Sequence, residues 1–185
     1  MSLPPELQSA LLGRRVVFLR GRLDEATANN VIAQLLLVAH TSAGTIELYV
    51  DSPGGSVAAA LSVFDVMQTS AAPVSTTCIG TVGGASVLVL AGGASGLRFA
   101  LPHARINLIQ ESLDVPGGKA SQTTTQAEEA VRLQRRWQSA LAQHITHSPT
   151  QLARDLKEVS WLSAAEARDY GLVDGIIPGV RLGPA

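Results

Sequence analysis

Apolar residues recur along this chain with two periods, and the alternation between them lays out the fold. Val16-Val17-Phe18-Leu19 is a short continuous apolar run and predicts a buried strand. Asp24 then caps a helix, Glu25 to Ala39, whose Ala28, Val31, Ile32, Leu35, Leu36 and Val38 fall near helical spacing. Thr45 to Val50 alternates as a strand does, and Asp51-Ser52-Pro53-Gly54-Gly55-Ser56 breaks it before a helix from Val57 to Ser70. Val74 to Ile79 predicts a third strand, followed by a glycine-rich turn and a buried helix from Ser86 to Ala94. Gly96–Ala100 and Arg105–Ile109 read as two short strands, Gln110–Gly118 as an exposed excursion, and Ala120 to Ile145 as one helix of roughly seven turns. In that helix Ala127, Ala130, Val131, Trp137, Leu141 and Ile145 lie near one stripe, while Glu128, Glu129, Arg132, Arg135 and Arg136 take the other side. Ser148 and Ser163 cap two further short helices, the second from Ala164 to Tyr170, and Gly171–Ile177 closes the pattern with a strand.

Strands alternating with helices place the chain in the α/β class. Residues 1–13 form a short N-terminal arm, with Pro4-Pro5 delaying regular structure, and 14–185 read as a single domain. A helix as long as Ala120–Ile145 in so small a domain projects or packs on a neighbour, which favours oligomers.

Composition narrows the partners. A net charge of −1, with no basic cluster beyond Arg14-Arg15 and Arg135-Arg136, gives no field for nucleic acid. No apolar run reaches the length of a membrane span, and the N-terminus lacks a secretory signal pattern, so a soluble cytoplasmic protein is expected. Twelve arginines stand against two lysines, a compositional bias without functional content. The one cysteine, Cys78, sits in an apolar strand pattern and reads as a core residue. His144 and His147 near the end of the long helix, without acidic or cysteine partners, make no metal site, and no cofactor is expected.

The turn Gly80-Thr81-Val82-Gly83-Gly84-Ala85-Ser86 joins a strand to a buried helix, where backbone N–H groups converge and nucleophiles or oxyanion holes are often built. Its first helical positions carry no functional group. Ser86 stands two residues beyond Gly84, a rotation of roughly 200° along a helix, and is expected to face away and pack. Ser56 follows two glycines but lacks the closing glycine of a nucleophile elbow, so helix capping is its expected role. His103 reads as a solvated loop histidine.

Several ordered segments resemble one family. They are Arg15-Val16-Val17-Phe18-Leu19-Arg20-Gly21, Ala28-Asn29-Asn30-Val31-Ile32-Ala33-Gln34, Leu48-Tyr49-Val50-Asp51-Ser52-Pro53-Gly54-Gly55-Ser56, Leu101-Pro102-His103-Ala104-Arg105 and the run from Leu162 to Asp174. Together they resemble ClpP, the proteolytic subunit of the Clp protease, a serine peptidase of the crotonase-like superfamily, over about residues 10 to 178. The resemblance implies a ClpP/crotonase-like fold of repeated ββα units with a protruding strand-helix handle at about 110–145. It also implies self-association into heptameric rings, stacked in pairs around a chamber, with an AAA+ unfoldase feeding unfolded polypeptide into it.

Carried over position by position, the resemblance puts the family's catalytic serine, histidine and aspartate at Gly84, Ile109 and Val159. The serine is placed by a Gly-Gln-Ala-Ala-Ser-Met-Gly-Ala pattern that begins at Gly80, the histidine by Leu108-Ile109-Gln110, and the aspartate by counting back from Trp161-Leu162-Ser163-Ala164. Peptide hydrolysis needs a nucleophile, a base and a group that orients the base, and these three residues supply none of them. The oxyanion-hole donors are backbone N–H groups and match Gly55 and Ala85. The resemblance therefore implies an inactive, ClpR-like pseudoprotease, a structural or regulatory ring subunit alone or in mixed rings with active ClpP paralogues.

Two further departures from the family pattern stand out. Its acidic residue and arginine before the triad aspartate are replaced by Lys157-Glu158, with the charges reversed, and its N-terminal gate is shortened to Met1–Gly13. Three alternatives remain: an active serine endopeptidase with a non-standard site built on Ser86, a crotonase-type acyl-CoA-binding protein, for which no carboxylate stands at Gly84 or Ile109, and a degenerate homo-oligomer with another binding role.

Overall fold

The computed structural model describes residues 4–41, 44–109, 120–158 and 161–178. Its elements run α1 (Pro5–Gly13), β1 (Val16–Arg20), α2 (Glu25–Thr41), β2 (Ile46–Ser52), α3 (Val57–Thr69), β3 (Val74–Gly83), α4 (Ser86–Ala91), β4 (Arg98–Ala100), β5 (Arg105–Asn107), α5 (Ala120–Ala142), α6 (Pro149–Glu158), β6 (Leu162–Ser163), α7 (Ala164–Tyr170) and β7 (Gly175–Ile176). The α/β alternation expected from the sequence is present. The expected caps form as well: Asp24 Oδ1 accepts from Thr27 N–H at 2.8 Å, Ser56 Oγ from Ala59 N–H at 3.3 Å, and Ser148 Oγ from Gln151 N–H at 3.2 Å. Ser163 and Glu166 close a full capping box.

Parallel pairs set the sheet order β1-β2-β3-β4-β7, and α2, α3 and α4 are the crossovers that lay β2, β3 and β4 each beside the strand before it. On the side away from β2, strand β3 serves two partners. Its first half pairs with β4 (Thr76↔Arg98 to Cys78↔Ala100) and its second half with β5 (Thr81↔Arg105 to Gly83↔Asn107). It therefore runs to Gly83, four residues past the end that its apolar pattern predicts. Gly80 and Thr81 break that pattern, and the Asp51 carboxylate bridges the break by accepting from Thr81 N–H at 3.1 Å, beside the register shift between Val50 and Ser52. Antiparallel β6 covers β5.

The core gathers Val17 and Leu19, the inward face of α2 (Ala28, Val31, Leu35, Val38), Leu48 and Val50, and every residue of α4. From α5 only the Trp137–Leu141 part of the expected stripe is fully buried, and Val131 is exposed. Cys78 is a core residue, as expected, and burial pushes its thiol up to about 12, which disarms it as a nucleophile.

The helix α5 stops at Ala142 rather than Ile145, and the turn after it is tied down by Arg98. The Arg98 guanidinium donates to the carbonyls of His144 (2.6 Å) and Gly171 (2.9 Å) and pairs closely with Asp174. His144 sits half-buried with its ring edge-on to Phe64, centroids 5.4 Å apart. Burial first, and Arg98 second, lower its pKa, so this histidine is held neutral and does not act as a helix-terminal cation. Because the folded pKa lies below the unfolded value, acid protonates the unfolded chain first. Stability is therefore full above about pH 6.5 and falls as pH drops from there toward the folded pKa. Denaturant titrations between pH 7.5 and 5.5 are expected to show that loss, and His144→Gln to flatten it; an unchanged slope in the variant would assign the pH dependence to other groups.

Candidate active site and its relatives

Positions 55, 84, 85 and 109 come from three segments that the sheet brings together, the loop after β2, the turn after β3 and the end of β5. The Gly83↔Asn107 register of β3 and β5 delivers Gly84 beside the end of β5, where its N–H donates to the Asn107 carbonyl at 3.0 Å. Two residues on, Ile109 N–H donates to Asn107 Oδ1 at 2.9 Å, with the Ile109 side chain partly exposed. Asn107 thus fixes both Gly84 and Ile109, a role that no local pattern announces. Gly84 is buried, at φ 49°.

Against this turn lies the loop Pro53-Gly54-Gly55. A Cβ on Gly54 would stand 2.9 Å from the Gly83 carbonyl oxygen, and one on Gly55 would overlap the Leu23 backbone, with the carbonyl carbon 2.8 Å away. Only glycine lets three backbones meet this closely. Leu23 is stitched into the loop by Leu23 N–H to Gly54 O and Ser56 N–H to Leu23 O, each 2.8 Å. Among the described residues, the N–H groups of Gly55 and Ala85 meet no acceptor.

The hydroxyl that follows the turn is not poised for chemistry. Ser86 Oγ lies 2.8 Å from Ser52 Oγ, both side chains have no exposed surface, and Ser52 Oγ also accepts from Gly54 N–H at 3.3 Å. No histidine or carboxylate shares that pair among the described residues. His103 is exposed in its loop, and the His147 ring stacks on Tyr170 at 4.0 Å, remote in role from the turn. The Tyr170 hydroxyl in turn donates to the buried Asp155 carboxylate at 2.7 Å, fastening α7 to α6; this contact was not legible in the sequence. Val159 lies outside the described residues, as does the excursion Gln110–Gly118. Among the described residues no group of His, Cys, Asp and Glu could hold a metal ion, and no helix is long and apolar enough to cross a membrane. One groove of about 450 Å³, between α5 and α6, and another of about 200 Å³, between α1, β1 and α2, are lined by none of Gly55, Gly84 or Ala85.

The family model described as Clp protease matches residues 5–179. A protein of Streptomyces coelicolor named "Putative ATP-dependent Clp protease proteolytic subunit-like" is 44% identical, covering 96% of this chain and 85% of its own. "ATP-dependent Clp protease proteolytic subunit 2" of Corynebacterium glutamicum is 39% identical over 90% and 83% of the two chains. "ATP-dependent Clp protease proteolytic subunit 1" of Thermobifida fusca is 34% identical over 91% and 76%.

Proposed function

Because the chain belongs to the Clp protease family as a proteolytic-subunit homologue, we propose that it is a non-catalytic member of that family, a structural or regulatory ring subunit whose cleft holds polypeptide without cutting it. The observation that carries this is the turn itself. The family's nucleophile position is Gly84, fixed to β5 by its own N–H, and the hydroxyl that follows it is buried and committed to Ser52. By the family resemblance the histidine position is Ile109, whose hydrocarbon carries no titratable proton, and the aspartate position is Val159.

What survives is the backbone half of the site. Two N–H groups that meet no acceptor among the described residues, on Gly55 and Ala85, suit a peptide carbonyl. A cleft that keeps its donors and loses its nucleophile binds extended chain and releases it unchanged. The subunit works in the cytoplasm, in heptameric rings of its own or in mixed rings with active paralogues, with α5 as part of the handle and an AAA+ unfoldase as the source of unfolded polypeptide. Working peptidase chemistry on Ser86 is disfavoured by its burial, and acyl-CoA chemistry by the lack of a carboxylate at Gly84 or Ile109.

Native mass spectrometry of the chain, expressed alone and together with a catalytically complete Clp proteolytic subunit of the same cell, tests the assembly. Seven-membered rings containing this chain are expected in at least one preparation. Monomers in both would end the ring-subunit proposal.

A further inference from the structure

Trp137 lies on α5, far from the site turn in sequence, and its side chain has no exposed surface. Its indole Nε1–H donates to the Ala85 carbonyl at 3.0 Å, in a buried contact that spans 52 residues of chain. A buried indole N–H finds an acceptor or carries a desolvation penalty, so the pairing is enforced and not incidental. Among the described residues, the only other donor to that carbonyl is Leu88 N–H at 3.3 Å, a long first-turn bond of α4. One residue on, Ser86 is held through Ser52. The Ala85-Ser86 segment is therefore gripped from two sides, by α5 through an indole and by β2 through a hydroxyl, while the Ala85 N–H stays without an acceptor among the described residues.

We infer that Trp137 is a positioning residue for the Gly84–Ala85 turn, its indole N–H fixing the Ala85 carbonyl so that the Ala85 N–H is held available to the cleft and α5 moves with the turn as one unit. Gly84 makes such a brace necessary, because a glycine at φ 49° leaves the chain free to turn away. The inference takes from the proposed function only that this cleft is the working surface.

The test is amide hydrogen exchange on the full chain, which needs no ligand. Trp137→Phe keeps most of the ring volume and removes the donor. It is expected to speed exchange at residues 83–88 roughly three- to tenfold beyond any protein-wide change, the range that one net hydrogen bond gives. Leu141→Val, one turn further along α5 and equally buried, serves as the packing control and is expected to leave those amides as they are. A second measurement avoids the destabilised variant. With the partly exposed Trp161 replaced by Phe, the single remaining indole proton should be protected to the same degree as the Leu88 amide. An indole proton that exchanges like a free one, or a Trp137→Phe profile that matches Leu141→Val at 83–88, would overturn the inference. Failure of the cleft to retain an unfolded peptide such as reduced casein would count against the proposed function and leave this result standing.

Discussion

Purified alone, the chain is expected to turn over a fluorogenic dipeptide or casein at about a millionth of the rate of a family enzyme with its triad complete, which is the buffer rate in practice. Loss of the serine or the histidine of a serine protease costs on the order of 10⁶ in turnover, and further losses add little because the three groups act as a unit. The described residues offer no substitute. Ser86 is fully buried against Ser52, Ser56 Oγ is engaged as a helix cap, and burial holds the Cys78 thiol in its protonated form. Retained N–H donors assist only once a nucleophile has attacked. Hydrolysis that survives repurification and disappears in Ser86→Ala would contradict this and revive the non-standard peptidase.

Gly55→Ala is expected to cost about 3 kcal/mol or more of folding stability, the sum of an overpacking term and a strained backbone at φ 148°. The neighbours of the added methyl are the N, C and O of Leu23, which are backbone atoms within a hydrogen-bonded bridge and have no rotamer to yield. Gly13→Ala is the matched control, since a Cβ there meets nothing within 4 Å. Urea unfolding should lower the midpoint strongly in the first variant and hardly move it in the second, with the slope unchanged in both. Equal midpoints would mean that the loop opens to admit the methyl, and the close three-backbone packing would then be no constraint.

Periodicity and punctuation made the frame legible. The α2 stripe, the caps at Asp24, Ser56 and Ser163, and the fully buried α4 follow from residues a few positions apart, where local spacing fixes the outcome. The misses are contacts between distant segments. The continuation of β3 depends on a carboxylate from β2 and a partner strand that no local pattern announces. Trp137 was legible as apolar, but its acceptor is a backbone carbonyl 52 residues away, and carbonyls leave no trace in sequence. His144 was read at a helix end and instead lies in a turn packed on Phe64 and Arg98. At the site, Gly84 and Ile109 could be placed only through the family resemblance. Spacing alone gave a glycine-rich turn, and the role of Asn107 in fixing both positions emerged from the β3–β5 register.

The most direct measurement of the central claim is covalent trapping. The native protein, assembled with and without an active partner subunit, is incubated with a serine-reactive fluorophosphonate and examined by intact-mass spectrometry. No adduct is expected on this chain under conditions that label the active partner to completion. A single stoichiometric adduct on this chain, mapped by peptide sequencing to Ser86 or Ser56, would show an armed nucleophile and contradict the account.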